Sequence, residues 1–172
     1  MEKWDLYTVD RKKTSQTMIR GDKIPDRLYR LAIHVCIFNS EGKMLIQKRQ
    51  SSKDTWPNKW DVTVAGSAIS GETSIMAAER EVYEELGLKI CLANKRPSLT
   101  LNFNEGFIDV YLLNMDLDLD TLKLQDEEVK AVSWANIDEI KTMIKEKKFI
   151  PYYNSLIDLL FDMRNQFGSI KK

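Results

Sequence analysis

Five glutamates fall within fourteen residues: Glu72, Glu79, Glu81, Glu84 and Glu85. Ile75, Ala78, Val82 and Leu86 recur through the same stretch at three- and four-residue spacing. At about 100° per residue these four share one face, so the segment 72–86 reads as a helix with that face buried. Glu81, Glu84 and Glu85 form a strip beside it, at the edge of the core, while Glu79 points the other way and is expected to be solvated. Gly87 is placed to stop the helix as a left-handed cap. Like charges three or four residues apart repel by roughly 0.2–0.5 kcal/mol per pair, so something must offset the strip. Clustered carboxylates on a rigid helix suit a hard divalent cation such as Mg²⁺ or Mn²⁺, usually shared with substrate phosphates. The plainer alternative is a solvated acidic face. Two features favour the site: the strip adjoins the core, and the preceding loop AGSAISGE carries glycines that let backbone approach a ligand closely.

The elements that must position this helix follow from hydrophobic pattern and turn signals. RLYRLAIHVCIFN (27–39) predicts a β-branched strand, SEG (40–42) a turn, and KMLIQKRQ (43–50) the returning strand. SSKDTWPNK (51–59) is polar, holds a proline and reads as a loop. WDVTVAG (60–66), IDVYLLNMDL (108–117) and VKAVSW (129–134) predict further strands, and another lies near residues 4–9. NIDEIKTMIKEKKF (136–149) predicts a helix with Asn136 as N-cap, and Pro151 is placed to open a last helix through residue 167. Strands and helices mix without strict alternation, which favours a mixed sheet with helices packed on it.

The chain has 172 residues, 43% of them hydrophobic and 30% charged, which suits one soluble domain over 1–172 with a real core. Its core spans about 27–135 and the C-terminal helices about 136–167. Lys plus Arg equals Asp plus Glu, 26 against 26, so no global basic field holds a nucleic acid polymer. MEKWDLYTVDRKK carries charges where a secretory signal needs an apolar run, and no stretch approaches a membrane span. A cytoplasmic location is the expectation. Cys36 and Cys91 form no metal or disulfide framework and read as free buried thiols.

Gly66, Glu72, Arg80-Glu81-Val82, Glu84-Glu85 and Gly87-Leu88 match the Nudix box at every fixed position across twenty-three residues. The wider chain resembles a Nudix domain from 27 to 134, and KDTWPNKWDV and LQDEEVKAVSW resemble the subgroup related to isopentenyl-diphosphate isomerase. The resemblance implies an α/β/α sandwich around a mixed sheet, with additional C-terminal helices here. It implies cleavage of a nucleoside diphosphate, or similar diphosphate, linked to another moiety, by an attacking water with Mg²⁺ or Mn²⁺. Carried over position by position, Glu84 and Glu85 are metal ligands, and Glu81 is a ligand or the base that activates water. The carbonyl of Ala65 or Gly66 completes the metal shell, and Glu72 and Arg80 brace the loop against the helix. Many relatives recruit a further carboxylate from a loop facing the helix. Glu127 and Glu128 are the candidates, with Glu128 assisting catalysis, and Glu105 is another. Each is otherwise a solvent-exposed loop charge.

Arg49 resembles the arginine that many relatives place near the diphosphate, and Lys48 is its neighbour on the strand. The plain alternative is an edge-strand charge. Trp56, Trp60 and Phe107 could stack on a base or line an apolar pocket, with core packing the safer reading for Trp60. The isomerase relatives use a cysteine just before the box glycine and three metal-binding histidines. Here Ala65 and Ser67 stand at two of those positions, Lys23 and Arg30 fall near the others, and His34 is the single histidine of the chain. His34 lies in an apolar strand and reads as structural. The box helix REVYEELG is intact, so hydrolysis is preferred to isomerisation. A third alternative is a ligand-binding module without catalysis, which usually goes with lost box glutamates, and none is lost. A small-molecule diphosphate is the expected partner, and a homodimer through the last helix or the strand near 4–9 is a further expectation.

Overall fold

The computed structural model describes residues 2–166, 168 and 170. Its elements in chain order are β1 (Lys3–Tyr7), β2 (Lys13–Ile19), β3 (Arg30–Phe38), β4 (Met44–Arg49), β5 (Trp60–Asp61) and β6 (Val64–Ser67). Then come α1 (Ser74–Leu86), β7 (Leu99–Phe103), β8 (Gly106–Asn114), β9 (Val129–Ala135), α2 (Ile137–Lys145) and α3 (Asn154–Met163). β1 and β2 form a separate hairpin. The main sheet runs β5-β4-β3-β8-β7, with β6 also paired to β3 and β9 to β4. β3 and β8 are parallel over nine residues and the other pairings are antiparallel, so the sheet is mixed.

Alternation along the strands splits the apolar residues between two cores. Ile33, Val35, Ile37 and Leu45 pack with Ala77, Ala78, Val82 and Leu86 of α1 on one face. Cys36, Phe38, Met44 and Ile46 pack with Ile140 of α2 and Ile157, Leu160 and Phe161 of α3 on the other. The result is an α/β/α sandwich. Among the described residues no helix is long and apolar enough to cross a membrane.

The stretch 60–66, expected as one strand, is two. β3 and β4 pair only at Phe38↔Met44, and the chain at 60–67 enters the gap that opens between them. β5 pairs with β4 and β6 with β3. The buried Thr63 hydroxyl closes the join: it accepts from Ile37 N at 2.9 Å and donates to Leu45 O. Two strands, β2 and β7, were not expected from the sequence. Both are edge strands with largely exposed or half-exposed side chains, so their apolar pattern is weak.

The last two helices are shorter than expected. Asn136 caps α2 in a full capping box with Glu139, but the helix ends at Lys145. Lys147 then takes a left-handed φ of 58°, and Phe149 turns inward, 1% exposed, to bridge with Trp60. Pro151 does not open α3. Ile150 N donates to Trp60 O at 2.9 Å and the Tyr152 hydroxyl to Asp61 at 2.8 Å, which holds 150–152 out of the helix until Asn154. The expected helix end at Phe167 lies outside the described residues.

Candidate functional site

Helix α1 starts at Ser74, capped by Thr73, whose side chain accepts from Met76 N at 3.3 Å. Glu72 therefore lies before the helix, and its carboxylate is free to turn back. Arg80 meets it with two bonds, Nε to Oε1 at 2.7 Å and Nη2 to Oε2 at 3.0 Å. Glu72 Oε2 also accepts from Ile69 N at 2.9 Å, and Arg80 Nη2 reaches Ser67 O at 3.0 Å. The loop 67–72 is thus pinned to α1 by one guanidinium. Gly87, at φ 66°, ends the helix and donates to Tyr83 O at 2.9 Å. Lys123 N and Gln125 N then donate to the carbonyls of Leu86 and Glu85, docking the loop that carries Glu127 and Glu128.

Arg80 also lies 3.1 Å from Glu81 and 2.8 Å from Glu84. One cation shared by three carboxylates is what offsets the repulsion on this strip. Its pKa is raised, first by the Glu72 bond, so it stays charged. Glu85 stands apart. It is 5% exposed, and the one hydrogen-bond partner of its carboxylate among the described residues is Gln47, whose Nε2 donates to Oε2 at 2.9 Å. Burial raises the Glu85 carboxyl well above its usual range, and the negative charges of Glu81, Glu128 and Asp61 add to that. Burial likewise raises Glu81, against the pull of Arg80. Glu84 is at the exposed rim.

Gly66 is required by close approach rather than by backbone strain. A Cβ there would lie 2.2 Å from Glu81 Cδ and 2.4 Å from Oε1. The Glu81 carboxylate fills the space of the missing side chain and is held against the backbone beside Ala65.

Among the described residues no three His, Cys, Asp or Glu side chains are gathered closely enough to hold a metal ion as they stand. Arg80 occupies the ground between Glu81 and Glu84. The donor chemistry nevertheless fits a hard divalent cation: one buried and one half-buried carboxylate, both with raised pKa values, a third at the rim, and a backbone packed against one of them.

The surrounding candidates are placed as follows. Glu128 pairs with Lys53, so loop 51–59 is tied to the loop facing α1, and Gln50 N donates to Glu128 O at 3.0 Å. Glu127 is exposed. Arg49 is 12% exposed and braces the same loop: Nε donates to Thr55 O at 3.1 Å, and Nη1 lies 4.0 Å from Asp61. Lys48 sits over the Trp60 ring at 6.0 Å, and Trp60 packs on the α2–α3 core. Trp56 is exposed in the loop with a left-handed φ of 53°. Phe107 is buried in the core on the α1 side, its ring 5.5 Å from that of Tyr29 and 5.2 Å from the Arg11 guanidinium. Glu105 is exposed and pairs with Arg30 at 3.4 Å. His34 lies against Tyr152, in the core away from α1. Two expectations are corrected. Glu79 is half-buried rather than solvated, and accepts from Leu92 N at 2.6 Å to hold the chain after α1. Cys91 is exposed, whereas Cys36 is buried, and both are free.

Residues far apart in sequence complete the site without a local signal. Gln47 is a buried amide inside an apolar strand, 38 positions from Glu85. Asp5 of the N-terminal hairpin accepts from Ser70 Oγ and Gly71 N, both at 2.8 Å, and so supports the loop into α1. A cavity of about 690 Å³ lies elsewhere, between Lys89–Arg96, the end of β8 and the end of α3, and no box residue lines it.

Comparison with known proteins bears on the fold and the family. The NUDIX domain profile matches residues 28–155. An uncharacterized Nudix hydrolase of Listeria monocytogenes is 46% identical over 165 residues, 96% of each chain. An isopentenyl-diphosphate Delta-isomerase of Pectobacterium atrosepticum is 30% identical over 146 residues, 80% of each chain. The crystal structure of DR0079 from Deinococcus radiodurans superposes with a TM-score of 0.73 at 26% identity, covering 92% of this chain and 97% of that one. With its box residues complete and its sandwich fold shared, the chain belongs to the Nudix hydrolase family.

Proposed function

We propose that this protein hydrolyses the diphosphate linkage of a small molecule, a nucleoside diphosphate or similar compound joined to another moiety. The observation that carries the reading is a pair of carboxylates, Glu85 buried and Glu81 half-buried, on the helix that Arg80 fixes to the glycine loop. Crowding a buried carboxylate against a half-buried one costs stability unless a ligand uses them. Mg²⁺ or Mn²⁺ would be held by Glu81, Glu84 and Glu85 with the carbonyl of Ala65. It would supply neutralisation of the phosphate oxygens and a lowered pKa for a water nucleophile.

The chain's own residues do the positioning. Gln47 orients the Glu85 carboxylate. Gly66 leaves room for Glu81, which would either help hold the metal or take the proton of the attacking water. Arg80 holds Glu81 and Glu84 before substrate enters. Glu128, paired with Lys53, is the carboxylate available from the facing loop. The partner is a small molecule; a nucleic acid polymer finds no basic field and a membrane no apolar segment in this reading. The relatives named as isomerases do not shift it, because Ala65 stands at the cysteine position, Ser67 at a metal-binding histidine position, and the lone His34 is in the opposite core.

The test is a ³¹P NMR panel with Mg²⁺, then Mn²⁺, over nucleoside diphosphate conjugates and isopentenyl diphosphate. New phosphate-ester resonances that vanish with EDTA and in Glu85→Gln support hydrolysis. Turnover that survives in Glu85→Gln with Mg²⁺ sinks the metal assignment.

A further inference from the structure

A diphosphate needs a cationic fork, and the cations nearest the box are already committed. Arg80 is shared by three carboxylates and Ser67 O. Arg49, the arginine expected from the strand, is turned into the loop at Thr55. Lys53 is paired with Glu128 and Lys48 lies over Trp60. Arg30 differs from all of these. Its guanidinium carbon lies 4.8 Å from the Trp4 ring centroid and 4.9 Å from that of Phe103, so two aromatic rings hold the group. Nη1 donates to Ser67 Oγ at 2.7 Å. Ser67 is thus the joint of the site, bonded to Arg30 through its hydroxyl and to Arg80 through its carbonyl, next to Gly66. The one carboxylate on Arg30 among the described residues is Glu105, at 3.4 Å and 61% exposed, a weak and displaceable partner. Nη2 makes no hydrogen bond among the described residues. Trp4 Nε1 is buried with no acceptor among the described residues, so packing and the cation hold that ring.

We propose that Arg30 is the substrate-recognition arginine of this site, taking the diphosphate oxygens of the substrate in exchange for Glu105. The inference rests on the diphosphohydrolase reading above. Its physical basis is preorganisation: a fork fixed between two rings loses little freedom on binding and matches a phosphate with parallel N–H groups. The competing role is structural, with Arg30 fastening the β1–β2 hairpin to the sheet. The two roles separate because a fastener does not respond to the loss of Glu105.

Binding of magnesium imidodiphosphate, a non-hydrolysable probe, is measured by calorimetry for the wild type, Arg30→Lys and Glu105→Gln. Mn²⁺ affinity by electron paramagnetic resonance and the unfolding temperature are read on the same samples. Loss of a charge-assisted pair of hydrogen bonds corresponds to about 10–100-fold in affinity. Arg30→Lys is expected to bind the probe that much more weakly, with Mn²⁺ affinity unchanged. Glu105→Gln, at an exposed position that leaves the fold intact, is expected to bind it about two- to fivefold more tightly. Wild-type affinity in Arg30→Lys, or no gain in Glu105→Gln, overturns the assignment of Arg30 while hydrolysis by the wild type still stands. A wild type that neither binds the probe nor turns over any diphosphate overturns both.

Discussion

Gly66→Ala isolates the placement of one carboxylate. The added Cβ would sit 2.2 Å from Glu81 Cδ and 2.6 Å from its Cγ, against about 3.4 Å for ordinary contact. The Glu81 side chain must retreat by roughly 1 Å, because the backbone of β6 is fixed by its pairing with β3. A misplacement of about 1 Å at a reacting group costs on the order of 100-fold in rate. The stability cost is small by comparison. Overpacking costs about 1–3 kcal/mol, and the low end applies where a flexible side chain yields. For a chain of this length that is about 2–4 °C in Tm. The assay is initial rate of diphosphate cleavage against Mg²⁺ concentration, with thermal unfolding of the same samples. A variant that keeps the wild-type rate and Mg²⁺ dependence would refute the claim that Gly66 exists to seat Glu81.

Other outcomes follow from the same contacts. Glu85 has a folded-state pKa raised by burial, so the folded chain keeps that proton longer than the unfolded one. Without metal, stability falls as pH rises from the ordinary glutamate range toward the raised value. Glu85→Gln should therefore raise the metal-free Tm at pH 8, do so less at pH 4, and abolish stabilisation by Mg²⁺; thermal scans at the two pH values check this. Gln47→Leu removes the amide that orients Glu85 and is expected to weaken Mn²⁺ binding about tenfold, read by electron paramagnetic resonance, with the far-UV spectrum unchanged. Arg80→Lys loses the two-pronged bond to Glu72; at about 2 kcal/mol the Tm drops roughly 4–8 °C, and turnover falls with it. Thr63→Val leaves Ile37 N and Leu45 O without their side-chain partner in the core and lowers Tm by a similar amount, while Mn²⁺ affinity is retained.

Local signals carried the helix of the box well. Its apolar spacing, its carboxylate strip and its terminal glycine are short-range features, and α1 ends at Leu86 with Gly87 as the left-handed cap. The same holds for Asn136, whose cap depends only on residues three positions away. The sequence was silent where the deciding partner is distant. Nothing near Pro151 shows that Tyr152 will bond to Asp61, 91 residues earlier, and delay the last helix. Nothing in LIQKR shows that Gln47 faces a buried glutamate while Arg49 turns into a loop. Wheel geometry sent Glu79 to solvent because it sees only the helix, not the chain that returns over it at Leu92. The compensation by Arg80 was legible as a loop brace but not as a counter-ion shared with Glu81 and Glu84, since that depends on rotamers rather than spacing.

The most direct measurement of the central claim is ³¹P NMR of a turned-over diphosphate conjugate in ¹⁸O-enriched water with Mg²⁺. Two phosphorus products are expected, one carrying the isotope shift of a newly bonded ¹⁸O, with no product in EDTA or in Glu85→Gln. Isopentenyl diphosphate converted to dimethylallyl diphosphate with its phosphorus chain intact and unlabelled, and no cleavage of any conjugate, would contradict it.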